Sequence, residues 1–149
     1  SAIRFTHDSI SYHFQDGHTL LQTAIQIARE DVERRDIRMI NVVRVRDGTL
    51  YALDNRRLAV FRLLEMCGRV RTIKVEIVPL STNTDEWNRK LTTTNGGACI
   101  DIRGTNHYIG TTCSDTHFPS MNGIRNARVN AHTLSDERFS IFLAGFKDT

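Results

Sequence analysis

Two adjacent arginines, Arg56 and Arg57, directly follow Asp54 and Asn55 at the expected start of a helix. The first turn of a helix has unpaired backbone N–H groups and a partial positive charge, so each cation there costs roughly several tenths of a kcal/mol. The arrangement becomes favourable when an anion accepts hydrogen bonds from the backbone N–H groups and from both guanidinium groups. The spacing therefore predicts a phosphate site formed by these four residues.

An alternative interpretation needs no ligand. Arg56 and Arg57 could form ion pairs with carboxylates of neighbouring elements, such as Asp54 or Asp8, and such pairs are common on protein surfaces. Asp8 and Ser9 follow the first predicted strand, which makes them the next candidates for the phosphate site. For these two residues the alternative is a local role in turn or cap hydrogen bonds.

A β-hairpin is predicted immediately before the helix. Segments 39–45 and 50–53 are rich in Val, Ile and Leu, and the Asp47-Gly48 pair between them is a strong turn signal. Apolar side chains then follow at helical spacing from residue 56 until Gly68, a natural helix stop. Arg62 lies six positions after Arg56, so it faces another side of this helix, where a packing or surface role is expected.

The sequence predicts a small α/β (α+β) fold, in which a small mixed sheet with helices is followed by a C-terminal extension of strands and a final helix. The polar stretch 81–85 predicts a boundary that separates residues 1–80 from an extension, 81–149, packed on them. The other elements predicted for the first part are a strand at 3–5, a helix after the Thr19/Gln22 capping box, and a strand at 72–80. Those predicted for the second part are a short helix at 85–91, a hairpin of 99–103 and 107–112, an irregular segment at 113–126, and a last helix after Ser135.

Composition narrows the class of protein. The 149 residues are 40% hydrophobic and 25% charged with a net charge of +3, as in an ordinary soluble domain. The sequence has no run of 18 apolar residues, so no membrane partner is expected. Three cysteines form neither a disulfide framework nor a four-ligand metal set, which favours a reducing, intracellular location and predicts no metal site.

The stretch from Gly48 to Phe61 resembles the signature of the ParB/sulfiredoxin superfamily, in which a strand and a short box ending in Arg-Arg or His-Arg precede a helix. The resemblance covers about residues 3–80. It implies a small α/β fold with a nucleotide phosphate bound at the helix start, where Arg56 and Arg57 match the phosphate-contacting pair. A nucleotide held together with Mg²⁺ is the cofactor that this resemblance suggests, while the residues themselves leave the cofactor unknown.

Two departures from that signature bear on catalysis. Asp54 replaces the glycine of the box, and Asn55 stands where sulfiredoxin has a cysteine and ParB a glutamate. Asparagine is neither a nucleophile nor a general base, so whether the chain is an enzyme stays open.

Three functional hypotheses follow. The first is a nucleotide- or phosphate-binding domain, in which Asp54 or Asp8 could hold a metal ion. The second is a nucleic-acid-binding module, because arginine makes up 12 of the 13 basic residues in positions 1–80. Its candidate residues are Arg34, Arg35, Arg38, Arg44 and Arg46 for phosphates and Tyr12, Tyr51, Trp87 and Tyr108 for base stacking. The third is a non-catalytic protein-interaction module with partners in a larger, multidomain assembly.

Overall fold

The computed structural model describes residues 3–31, 38–80 and 84–129. Its strands are β1 (Ile3–Arg4), β2 (Ser9–Ile10), β3 (Ile40–Arg44), β4 (Leu50–Ala52), β5 (Val75–Ile77), β6 (Ile100–Ile102) and β7 (Tyr108–Ile109). Its helices are α1 (Leu20–Ala28), α2 (Asn55–Met66), α3 (Thr84–Lys90) and α4 (Met121–Arg125), and a 3-10 turn lies at Cys113–Asp115. Helices and mixed sheets thus share one small fold, which confirms the predicted α/β class.

The described strands form two mixed sheets. The first has the order β1-β4-β3-β5, with the β3–β4 pair antiparallel and its two neighbouring pairs parallel. Gly48 has a φ of 87° in the β3–β4 turn, and the predicted hairpin is confirmed with Val43 opposite Tyr51. The second sheet has the order β2-β6-β7, in which β2 from the first part of the chain pairs in parallel with β6 from the second.

The predicted capping box begins α1. The Thr19 hydroxyl accepts a hydrogen bond from the Gln22 backbone N–H at 3.0 Å, and the Gln22 side chain accepts one from the Thr19 N–H at 2.8 Å. Two N–H groups that the helix itself leaves without partners are thereby satisfied. This local signal was sufficient to predict where the helix begins.

Helix α2 runs through the middle of the molecule, and every residue from Arg57 to Leu64 is buried. Arg62 is 1% exposed and donates hydrogen bonds to the backbone carbonyls of Ile3, Ala98 and Gly110. Its guanidinium carbon lies 4.7 Å from the centre of the Phe5 ring. Of the packing and surface roles left open for Arg62, the structure shows packing, and Arg62 joins both parts of the chain.

The second part of the chain differs from its prediction at one place. The 99–112 hairpin is confirmed as β6 and β7, but residues 113–126 are not irregular, because they contain the 3-10 turn and α4. Asp115 caps the turn by accepting from the Thr112 N–H at 2.6 Å, and Met121 and Ile124 bury one face of α4. The helix predicted after Ser135 lies outside the described residues.

One hydrophobic core contains residues from both parts, among them Phe5 and Ile10 with Ile100 and Ile109. Among the helices of the described ranges, none has the length and the apolar character that crossing a membrane requires.

Candidate functional site

Helix α2 begins without a side-chain cap. Asp54 occupies the N-cap position, but its side chain makes no hydrogen bond to the first turn. Its carboxylate instead accepts a hydrogen bond from the Asn41 N–H at 3.0 Å and lies 3.4 Å from Nη1 of Arg57. The N-cap side chain therefore satisfies none of the N–H groups in the first turn of α2.

Asn55 faces the interior and is 6% exposed. Its Oδ1 accepts a hydrogen bond from the Thr6 N–H at 2.9 Å, and its Nδ2 donates to the Thr6 hydroxyl at 2.9 Å. The Thr6 hydroxyl in turn donates to the Ala52 carbonyl at 2.9 Å. Asn55 thus ties the chain after β1 to the start of α2, and its amide is already occupied.

Arg57 also faces the interior, with 1% of its surface exposed, and pairs with Asp54. Burial lowers the pKa of Arg57, and the Asp54 carboxylate acts in the opposite direction. For Arg57 the structure therefore shows the alternative to phosphate binding, which was an ion pair with Asp54. The predicted clamp of two arginines around one phosphate is corrected, because only Arg56 of the pair reaches the surface.

Arg56 is partly exposed beside the start of α2. Its Nη1 donates to the His13 carbonyl at 2.8 Å, and its guanidinium carbon lies 5.6 Å from the centre of the Phe14 ring. Burial lowers the pKa of Arg56, and the positive charge of Arg103 lowers it further. Arg56 is thus oriented by a neutral carbonyl and lies within the electrostatic influence of another cation.

His7, Arg56, Lys90 and Arg103 form what we call the basic cluster. Burial lowers the pKa of His7, and the charges of Lys90 and Arg103 lower it further, against a smaller opposite effect of Asp8. Lys90 donates to the Leu53 carbonyl at 2.7 Å, which places its ammonium group beside the start of α2. The tertiary structure thus collects four basic side chains from four separate segments.

The basic cluster is poor in counter-ions. Among the described residues, no carboxylate oxygen lies within 4.0 Å of a side-chain nitrogen of Arg56, Lys90 or Arg103. Neighbouring cations without counter-ions repel one another, and a bound anion removes that repulsion.

Asp8 is held by the loop at 92–97. Its carboxylate accepts hydrogen bonds from the Thr94 N–H and the Thr94 hydroxyl, both at 2.7 Å, and from the Thr93 hydroxyl at 3.2 Å. The backbone hydrogen bond from Thr94 is the main reason that the pKa of Asp8 is lowered. Ser9 pairs with Asp101 within the second sheet. Both residues thus bond to the second part of the chain, Asp8 across 85 and 86 positions, and these are not the local turn or cap bonds that were the alternative to ligand binding.

Candidate metal ligands do not converge in the part of the chain that the structure describes. It contains no group of three or more His, Cys, Asp or Glu side chains that could hold a metal ion. Asp54 is engaged by Asn41 and Arg57, and Asp8 is engaged by the 92–97 loop.

Sequence reasoning did not identify Lys90 or Arg103. Lys90 ends α3 and Arg103 follows β6, so both are distant from Arg56 along the chain. No local pattern joins them to Arg56.

No family model matches this chain, and no curated protein or solved structure matches it significantly.

Proposed function

We propose that the basic cluster binds a phosphate group of a nucleotide at the start of α2. The observation that carries the proposal is the grouping of Arg56, Lys90 and Arg103 near the start of α2, where the side chain of the N-cap residue makes no cap hydrogen bond. No carboxylate oxygen of the described residues lies within 4.0 Å of a side-chain nitrogen of these three residues. A phosphate would accept hydrogen bonds from these cations and would benefit from the helix dipole. The site retains Arg56 from the Asp54–Arg57 box and adds residues from the second part of the chain.

The proposed role is binding rather than a reaction. The position that carries the reactive side chain in the ParB/sulfiredoxin signature is Asn55 here, and both ends of its amide are bonded to Thr6. An amide held in this way supplies neither a nucleophile nor a proton acceptor. The resemblance to that superfamily is part of the proposal and concerns the place of the phosphate.

The burial of the candidate base-stacking residues favours a free nucleotide over a nucleic-acid strand as the ligand. Tyr51 and Trp87 pack against each other with ring centres 5.5 Å apart, and Trp87 is buried. Tyr12 is half-buried against Phe118. Of the four candidate stacking residues, Tyr108 is the exposed one. A nucleic-acid strand usually binds to several exposed aromatic side chains in a row, so the burial of the other three does not favour a strand as the ligand.

Calorimetric titration with ATP, AMP and inorganic phosphate, with and without Mg²⁺, tests the proposal. We expect Arg56→Ala and Arg103→Ala each to weaken nucleotide binding about 10- to 100-fold, because each removes a charged hydrogen-bond donor. Arg44→Ala, which removes an exposed arginine outside the basic cluster, should change affinity less than about twofold.

Three outcomes count against the proposal. Equal losses in Arg44→Ala and Arg56→Ala would indicate a diffuse effect of net charge. Binding to short single-stranded RNA or DNA with a steep salt dependence, without nucleotide binding, would support the nucleic-acid module instead. An absence of binding to every anion would leave the protein-interaction module as the remaining hypothesis.

A further inference from the structure

The fold brings two cysteine thiols together at the end of α2. Cys67 directly follows that helix, and Cys113 begins the 3-10 turn after β7, 46 positions further along the chain. The Cys113 thiol donates a hydrogen bond to the Met66 carbonyl, with Sγ 4.0 Å from the oxygen. Standard peptide geometry places the Cα atom of Cys67 about 3 Å from that oxygen, so Cys113 Sγ lies within about 7 Å of this Cα atom.

Helix α4 contacts both thiols. Cys67 donates to the Met121 carbonyl, with Sγ 3.8 Å from the oxygen, and Nη2 of Arg125 donates to Cys113 Sγ at 3.7 Å. Met121 and Arg125 are about one helical turn apart, so the two thiols contact one short stretch of the same helix. Burial raises the pKa of Cys67, and the charges of Arg125 and Cys113 act on it in opposite directions, so the two sulfur atoms lie within electrostatic range of each other.

The two thiols differ in their access to solvent. Cys113 is exposed, whereas Cys67 is half-buried. A dissolved oxidant therefore meets Cys113 first. Rotation about the Cα–Cβ bond moves a sulfur atom by up to about 3 Å between staggered positions, so both side chains can contribute to closing the gap between the sulfur atoms.

We propose that Cys67 and Cys113 form a reversible disulfide when a small hydroperoxide oxidises the protein. The Cys113 thiolate attacks one oxygen of the hydroperoxide and the O–O bond breaks. The other oxygen takes up the thiol proton and leaves as water or an alcohol, and Cys113 becomes a sulfenic acid. The Cys67 thiolate then attacks the Cys113 sulfur, the S–O bond breaks, and the hydroxide takes up the Cys67 proton and leaves as water.

The two thiols together lose two electrons, and the O–O bond receives them. The new bond connects the end of α2 to the 3-10 turn in the second part of the chain. In a reducing compartment such a bond is transient and is typical of redox sensing. This pair is separate from the basic cluster and does not depend on the proposed nucleotide function.

Oxidation of the reduced full chain by hydrogen peroxide, followed by mass spectrometry of its peptides, tests the proposal. We expect a mass loss of about 2 Da, a link between the peptides of Cys67 and Cys113, and reversal by dithiothreitol. Cys67→Ser should leave Cys113 as a sulfenic acid that dimedone traps. Cys99→Ser, the matched control, should form the link at the rate of the parent protein.

Oxidation in urea separates the effect of the fold from that of the sequence. Cys99 and Cys113 are 14 positions apart and close a shorter loop than Cys67 and Cys113, so their link should be the main product in the unfolded chain. In the folded protein the Cys67–Cys113 link should exceed it at least tenfold. A folded protein that forms chiefly the Cys99–Cys113 link, a link between two chains, or a sulfinic acid at Cys113 without any link would overturn the proposal.

Discussion

At the scale of single residues, the Asp54–Arg57 box has two faces. Asn55 and Arg57 are buried and bond to Thr6 and Asp54, respectively, while Arg56 is partly exposed. Neighbouring residues of a helix point about 100° apart, so one face can stabilise the fold while another stays available to a ligand. The box therefore combines a structural and a proposed binding role.

Asn55→Ala should destabilise the protein by about 1–3 kcal/mol, because the buried Thr6 N–H loses its acceptor. The measurement is the free energy of unfolding from urea denaturation. Asn106→Ala, at an exposed loop position, is the matched control and should stay within about 0.5 kcal/mol of the parent protein. Similar values for the two variants would contradict the structural role of Asn55.

Asp115 is expected to make stability depend on pH in the acid range. Hydrogen bonds from the Thr112 and Thr111 backbones and hydroxyls lower the pKa of Asp115 from 3.8 to about 2. Since the folded-state pKa lies below the unfolded one, the carboxylate stabilises the fold fully above about pH 4, and this contribution disappears as the pH falls towards 2.

An NMR titration of the Asp115 carboxyl carbon checks this expectation. The midpoint should lie near 2 in the folded protein and near 3.8 in the urea-unfolded protein. Asp115→Asn should flatten the loss of stability between pH 4 and pH 2. A midpoint in the folded protein equal to that of the unfolded chain would show that the Thr111 and Thr112 hydrogen bonds have no effect on this carboxyl group.

At the scale of elements, the 92–97 loop joins the second part of the chain to the residues that follow β1. The Phe5 N–H donates to the Gly97 carbonyl at 3.0 Å, and the Thr93 N–H donates to the Thr6 carbonyl at 2.9 Å. Gly97 has a φ of 75°, and a Cβ atom placed there would collide with the Phe5 carbonyl oxygen and with Arg4. Glycine is thus required twice, by conformation and by close approach.

Gly97→Ala should therefore destabilise the protein more than Gly104→Ala does. Gly104 has nearly the same φ, 77°, but a Cβ atom there meets nothing within 4 Å. Each substitution should cost about 1 kcal/mol for the left-handed conformation, and Gly97→Ala should cost at least about 1 kcal/mol more for the collision. Thermal unfolding followed by circular dichroism measures both, and equal losses would rule out the steric contribution.

At the scale of the whole molecule, the two parts of the chain share one core and one sheet. Strand β2 pairs with β6, and Arg62 in α2 donates to carbonyls at positions 98 and 110. Residues 1–80 alone would therefore lose a sheet partner, acceptors for a buried cation and much of the core. The two parts are expected to depend on each other for stability.

A chain that ends at Leu80 should accordingly lack a cooperative thermal transition and a dispersed NMR spectrum, whereas the full chain should show both. The comparison is made at the same pH and salt concentration by circular dichroism and by amide NMR. A cooperative transition in the shortened chain would show instead that residues 1–80, before the predicted boundary near 81–85, fold without the second part of the chain.

Local signals in the sequence were enough to predict the hairpin of β3 and β4, the helix α2 and the capping box of α1. These elements depend on turn residues, apolar spacing and cap residues that are neighbours along the chain. The helical position of Arg62 relative to Arg56 left a packing role and a surface role open, and tertiary packing decided between them. The failure at 113–126 has the same physical origin, because its elements are short and depend on contacts with the rest of the fold.

Tertiary packing decided which residues of the box face outward and which cations join Arg56. Helix α2 is buried on nearly every side, so its hydrophobic pattern could not indicate that Arg57 lies inside and Arg56 at the surface. His7, Lys90 and Arg103 come together because the loop at 92–97 and strand β6 pack against the chain near β1 and β2. Charges act through space, so this arrangement exists only once the chain has folded.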